Sequence, residues 1–185
     1  MSRQPQTEIA VLGALSVQPM SGYAVRAAIT ETLGHFWSES FGQIYPTLSR
    51  LETEGHVVRD AVGQTSGSTF RLTRSGRSRL VALLHEPIAA APPRNGTLLR
   101  LFFGGLLGPD TCAEIVTAAR DHALVLLGTM TEARAAIVAE GRPDAAYWLI
   151  TVSAGEHAAK AQIAWADETL EVLRRLPHRG LRSGS

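Results

Sequence analysis

The sequence predicts a mainly α-helical chain of two parts, an N-terminal helical unit carrying a two-stranded hairpin and an all-helical C-terminal unit. Three observations predict it. Apolar residues recur at three- and four-residue spacing along much of the chain. Two short runs rich in β-formers, His56–Arg59 and Thr69–Leu72, flank a Gly-, Ser- and Thr-rich tip from Ala61 to Ser68. Ala89-Ala90-Ala91-Pro92-Pro93-Arg94-Asn95-Gly96 then interrupts the pattern as a linker. The expected domains are 1–88 and 97–185, joined by 89–96, and 185 residues that are 45% apolar suffice to bury a core.

The first helix takes Thr7 to Val17 on Ile9, Leu12 and Leu15, and Gln18-Pro19 stops it. Ser21 can cap a second helix reaching about Leu33, with Gly34 at the C-cap position. After His35-Phe36-Trp37, Ser40 and Gln43 form a capping box that opens a third helix ending at Glu54-Gly55. The hairpin follows, and Thr73 or Ser75 starts a fourth helix to Leu84. Three helices followed by a two-stranded hairpin is the order of a winged helix-turn-helix. Pro46 lies too deep to open the third helix, so the first turn is expected to be bent or offset.

Beyond the linker, helices are expected over Thr97–Leu107, Pro109–Glu140 and Asp144–Leu176, with a frayed tail after Pro177. In the second of these, Cys112, Val116, Ala119, Ala123, Leu126, Met130, Ala133 and Ile137 alternate spacings of four and three. Half of that seam is Ala or Cys, which favours close helix approach. The last helix is apolar on two sides. Tyr147, Ile150, Ala154, Ala158, Ala161 and Trp165 make one face, and Trp148, Val152, Gly155, Ala159, Ile163, Ala166 and Leu170 the other. A helix with two apolar faces needs two covers, so a symmetric second copy is expected. An intramolecular helical hairpin without a dimer is the alternative.

Net charge is +1, so no global basic field points to nucleic acid. Of the 18 basic residues all but Lys160 are Arg, the better fork for phosphate and guanine edges. Together with abundant Ala, this also fits a GC-rich coding bias. No apolar run approaches the roughly 18 residues of a membrane span. The lone Cys112 excludes an internal disulfide framework and fits a reducing compartment, so a cytoplasmic protein without membrane contact is expected. The six histidines show no HExxH spacing, and one cysteine cannot build a structural zinc site. GxSxG, GxxxxGKS and a GxGxxG after a strand are absent as well. No catalytic residue, metal or cofactor is therefore expected. Glu156-His157 reads as a polar or core pair and Cys112 as a packed apolar residue.

The third helix is the informative one. Its apolar stripe of Ile44, Leu48 and Leu51 leaves Gln43, Tyr45, Thr47 and Arg50 on the outside. Gln pairs with adenine, Arg forks onto guanine or phosphate, and Thr and Tyr bond either. Gly42 leaves room for a phosphodiester chain, and free amides at the helix start attract phosphate. By residue type alone, an ordinary polar helix face explains these residues equally well.

Gly22-Tyr23, Phe36-Trp37, Gly42 through Gly55 and Phe70-Arg71-Leu72-Thr73-Arg74-Ser75-Gly76 occur in that order. This arrangement, over roughly residues 8 to 86, resembles the PadR family of bacterial transcriptional regulators. The second half, with Leu98 to Leu107 and the Tyr147-Trp148 start of the last helix, resembles less specifically the helical dimerisation domain of its longer subfamily. The resemblance implies a homodimer on double-stranded operator DNA, with the third helices in successive major grooves and the wings against the backbone or minor groove. It implies DNA contacts from Ser40, Gly42, Gln43, Tyr45, Thr47 and Arg50, and phosphate contacts from Ser21 and Tyr23. The wing would add Gln64, Thr65, Ser66 and Ser68. Its tip, Gly63 to Ser68, lacks the Arg or Lys frequent in the family, which weakens the charge-driven part of the affinity. Arg71, Arg74 and Arg77 flank it and can compensate.

Relatives sense phenolic compounds or planar drugs, which makes Trp148 and Trp165 the candidates for a small aromatic effector; dimer packing accounts for both equally. Phe36 and Trp37 fit core packing better than a ligand cage. A repressor is the expected activity. The alternatives are a winged-helix interaction module without DNA binding and a ligand carrier built on the helical half.

Overall fold

The computed structural model describes residues 4–30, 37, 41–60, 68–88 and 95–177. The chain forms two compact units that part between Ala91 and Pro92. The first holds α1 (Gln4–Val17), β1 (Met20–Ser21), α2 (Gly22–Ala28), α3 (Phe41–Thr53), β2 (Val57–Asp60), β3 (Thr69–Leu72) and α4 (Arg74–Leu84). The second holds α5 (Gly96–Phe102), a 3-10 turn at Gly104–Leu106, α6 (Pro109–Glu140) and α7 (Ala145–Arg174). The first unit is a winged helix-turn-helix.

Its core gathers Val11, Leu12 and Leu15 of α1, Val25 of α2, Ile44, Leu48 and Leu51 of α3, and Val57, Phe70 and Leu83. The sheet is antiparallel in the order β1-β3-β2, with Met20 opposite Phe70 and Arg59 also opposite Phe70 from the other side. The third strand, β1, is an addition to the expected two-stranded wing. Two residues carry no periodicity of their own, and pairing with β3 makes them a strand. The positions given to Gly34 and Phe36 lie outside the described residues.

Two devices set the angle between α3, the hairpin and α4. Gly55 takes φ 74°, and His56 N–H donates to Leu51 O at 2.8 Å while Gly55 N–H donates to Glu52 O at 3.1 Å, a Schellman end to α3. The Thr73 hydroxyl caps α4, accepting from Gly76 N–H at 3.0 Å and donating to the carbonyls of Gly55 and His56 at 2.9 and 3.0 Å. A Cβ on Gly76 would stand 2.0 Å from His56 O, so α4 can start against this turn only with glycine there.

A third device is electrostatic and ties α1 to α3 and α4. The Glu8 side chain on α1 is only 4% exposed and accepts from Arg50 of α3 at 2.8 Å and Arg79 of α4 at 2.7 Å. Burial works to raise the Glu8 carboxyl, but hydrogen bonds from Arg79 and then Arg50 outweigh it and hold the group below its ordinary value. Arg50 also donates to Glu54, just past the end of its own helix.

In the second unit α6 and α7 pack along the anticipated seam. Cys112, Val116, Ala123 and Met130 are buried against Val152, Ala159 and Ala166. Arg134 donates to both carboxylate oxygens of Glu156 at 2.7 and 2.8 Å, and Arg120 reaches Asp167 at 2.6 Å. Glu156 is thus a structural ion-pair partner. The second apolar face of α7 is open, with Tyr147 and Ile150 exposed. α5 is shorter than expected, because Gly104-Gly105 ends it. Gly104 lets the Cys112 sulfur approach within 2.8 Å of where a Cβ would sit. α6 is long and apolar enough to cross a membrane by length and composition, with a mean hydropathy of 1.2 over its best 18 residues. No continuous apolar run reveals this in the sequence, because its apolar residues are spread among small and polar ones.

Replacing Glu8 by Gln leaves two guanidiniums facing a neutral amide, and the expected loss is about 1–3 kcal/mol of unfolding free energy in urea. Because the folded pKa lies below the ordinary 4.5, this stabilisation is present in full above 4.5 and is lost as pH falls through the folded value. The difference in thermal midpoint between wild type and Glu8→Gln is therefore expected to shrink as pH falls below about 4.5.

Candidate nucleic-acid interface

α3 turns Ile44, Leu48 and Leu51 into the core and presents Gly42, Gln43, Tyr45, Pro46 and Ser49 to solvent. Two expectations need correction. Thr47 is only 8% exposed, because it sits three residues after Ile44 and four before Leu51, on the edge of the buried stripe. Arg50 turns back over the helix to Glu8 and Glu54. Burial works against its charge, but the bonds to those two carboxylates prevail and raise its pKa. The helix runs from Phe41 on through Pro46, whose missing N–H leaves the exposed Gly42 without its i+4 donor. Ser40 lies outside the described residues.

Beside this face runs a groove of about 450 Å3 between the start of α2, α3 and the foot of the hairpin. Ser21, Tyr23, Tyr45, Ser49 and Ser68 bring hydroxyls to it, and Arg59 a guanidinium. Ser21 also caps α2, accepting from Ala24 N–H at 3.1 Å. The Gly-Tyr pair has a steric reason: a Cβ on Gly22 would stand 2.7 Å from the Tyr45 ring, so glycine there lets the ring lie across the start of α2. Tyr23 next to it is 71% exposed. Ser49 and Arg59 were not among the sequence candidates. Ser49 carries a legible signal, four residues after Tyr45 on one helix face; the place of Arg59 depends on hairpin register, with Phe70 opposite.

The cations near the wing are mostly engaged. Arg59 forks onto Glu52 at 3.1 and 2.8 Å and lies 4.9 Å over the Phe70 ring. Arg71 forks onto Asp60 at 3.1 and 3.3 Å, whose hydrogen bond and charge raise its pKa. Arg74 and Arg77, exposed on the first turn of α4, enter none of these pairs. Gln64, Thr65 and Ser66 lie outside the described residues. A row of hydroxyl donors suits a phosphodiester backbone, and the exposed α3 face beside it suits base edges.

The two tryptophans proposed for an effector are not brought together within the chain. Seventeen residues of helix separate them, about 25 Å. Trp148 packs under Arg142 at 5.3 Å. Trp165 borders a concavity of about 640 Å3 within the second unit, together with Arg100, His122, Leu126 and Gln162. Trp37 packs against the core of the first unit, its Nε1 buried. No cluster of three or more His, Cys, Asp or Glu that could hold a metal exists among the described residues.

Residues 11–82 match the model of the transcriptional regulator PadR-like family, and residues 93–174 that of the virulence activator alpha C-terminal domain. The negative transcriptional regulator PadR of Bacillus subtilis is 26% identical over 175 residues, covering 89% of this chain and 95% of that protein. Its crystal structure with operator DNA superposes with a TM-score of 0.74 at 24% identity, covering 90% of this chain and 98% of that one. Its structure with p-coumaric acid gives 0.70 at 24% identity, covering 91% and 98%. A PadR-like regulator from Bacillus cereus gives 0.79 at 23% identity over 91% and 98%. The two matched regions take in most of the chain and coincide with its winged helix and its helical unit. The winged-helix unit thus carries a domain of the transcriptional regulator PadR-like family, and the chain is similar over most of its length to PadR regulators, which are DNA-binding proteins and not enzymes.

Proposed function

We propose that the chain is a cytoplasmic homodimer that represses transcription by occupying a two-fold operator, one α3 in each of two successive major grooves. The observation that carries this is the solvent-facing row of Gly42, Gln43, Tyr45 and Ser49 beside the hydroxyl-lined groove. Gln43 and Tyr45 read base edges, while Ser21, Tyr23, Ser49, Ser68 and Arg74 meet phosphates. Ser40 at the mouth of α3 and Gln64, Thr65 and Ser66 of the wing add hydroxyl and amide contacts. Thr47 sits on the buried side of α3, Arg50 holds the helix to α1 through its surface-accessible pair with Glu8, and Arg71 serves through its hairpin pair with Asp60. Repression follows the description of the Bacillus subtilis relative as a negative regulator.

The dimer is supported by the apolar surface of the second unit. Leu99, Phe102, Leu106, Tyr147 and Ile150 are each more than 60% exposed, bulky apolar side chains that burial against a second copy would remove from water. A second copy covers this surface, and the apolarity of α6 serves the same packing rather than a membrane. The concavity beside Trp165 combines an aromatic wall, apolar floor, one guanidinium and the imidazole of His122, which suits a small aromatic acid. A relative bound to p-coumaric acid supports that class of effector. Such an effector releases DNA only by binding the DNA-free geometry more tightly.

Gln43→Ala and Tyr45→Ala are each expected to weaken binding to the chain's own upstream intergenic duplex by about 1–3 kcal/mol, with the dimer intact in sedimentation velocity. Fluorescence anisotropy beside a scrambled duplex measures this, and unchanged affinity in both variants would remove α3 from the interface. p-Coumaric acid is expected to quench tryptophan emission in wild type and much less in Trp165→Phe. Equal quenching in the two proteins places the effector elsewhere.

A further inference from the structure

The groove beside α3 is lined by hydroxyls and one guanidinium, that of Arg59, and that guanidinium is already occupied. Its Nε and Nη2 donate to the two carboxylate oxygens of Glu52 at 3.1 and 2.8 Å, an arrangement that a phosphate's two oxygens would equally satisfy. The pair is solvent-accessible, with 45% of the Arg59 side chain and 34% of the Glu52 side chain exposed, so exchanging the carboxylate for another anion leaves no buried charge behind. The Phe70 ring, 4.9 Å beneath, holds the guanidinium at the groove whichever anion it carries. Glu52 stands on α3 itself, three residues beyond Ser49, so a backbone entering the groove brings phosphate charge toward its carboxylate.

Resting on the DNA-binding role proposed above, we propose that Glu52 is a built-in phosphate mimic. Its carboxylate fills the Arg59 fork in the free protein and yields it to a DNA phosphate on binding, so that Glu52 sets duplex affinity from within the recognition helix. The competition lowers affinity for every duplex, and Arg59 contributes only when a backbone is seated deeply enough to displace the carboxylate. Arg59 is a phosphate-binding residue, and Glu52 the residue that regulates it.

The test is fluorescence anisotropy of the full chain on its own upstream duplex and on a scrambled duplex of equal length, each at several salt concentrations. Wild type, Glu52→Gln, Arg59→Gln and the double variant are compared. Glu52→Gln is expected to raise affinity about two- to fivefold for each winged helix engaged, the range that one exposed ion pair can return. Arg59→Gln is expected to lower affinity and to reduce the slope of log K against log salt by about one per winged helix. The decisive comparison is the double variant, in which removing Glu52 returns no affinity once Arg59 is gone. If Glu52→Gln gains as much in the Arg59→Gln background, the carboxylate acts as a general negative charge and the proposal fails. If Glu52→Gln loses affinity and its thermal midpoint falls, the pair is a hairpin brace and the proposal fails too. If wild type binds neither duplex, the DNA-binding role falls and takes this proposal with it.

Discussion

The first unit turns on a single buried carboxylate. Glu8 lies inside the packed end of α1, where an isolated charge would cost several kcal/mol, and is tolerated because arginines from α3 and α4 converge on it. The same contact fixes three helices relative to one another. Apolar packing of Leu12, Leu48, Leu51 and Leu83 decides which face of α3 is buried, but dispersion contacts are not directional. A bidentate demand from one carboxylate is, since Arg50 must keep its register for both Glu8 and Glu54. The orientation of Gln43 and Tyr45 one to two turns away is inherited from that register.

A second constraint is steric and sits just beyond the same end of α3. Gly55 ends the helix in the left-handed region, and Gly76 lets α4 rest on the His56 carbonyl. The hairpin springs from between these two contacts, so its foot is anchored on both sides. Ser68 and Arg59 therefore reach the groove from a fixed base.

Much of this was legible in the sequence. The capping and stop signals of Ser21, Gly55 and Thr73, together with helical spacing, place most elements within a few residues, and the α6 seam is read position by position. The site was legible in part. Gln43 and Tyr45 stand where an apolar stripe at 44, 48 and 51 leaves them, but Thr47 borders that stripe too closely for a stripe alone to decide its side. The ion pairs of Arg50 were not legible because its partners include Glu8, 42 residues earlier, a pairing that no local pattern announces. β1 and the groove position of Arg59 likewise depend on strands distant in sequence. Local rules give elements; long-range pairing decides which polar side chains they leave available.

The second unit has a thin interior. Apart from Met130, its buried side chains among the described residues are valines, alanines and one cysteine, while the bulky Phe102, Leu106, Tyr147 and Ile150 face outward. Little of its folding free energy can then come from within one chain, and as a dimer it would draw the remainder from association. Stability and assembly are in that case one equilibrium governed by mass action. The cellular abundance of the chain would set how much of it is folded as well as how much DNA it occupies, and dilution at cell growth would act on both at once.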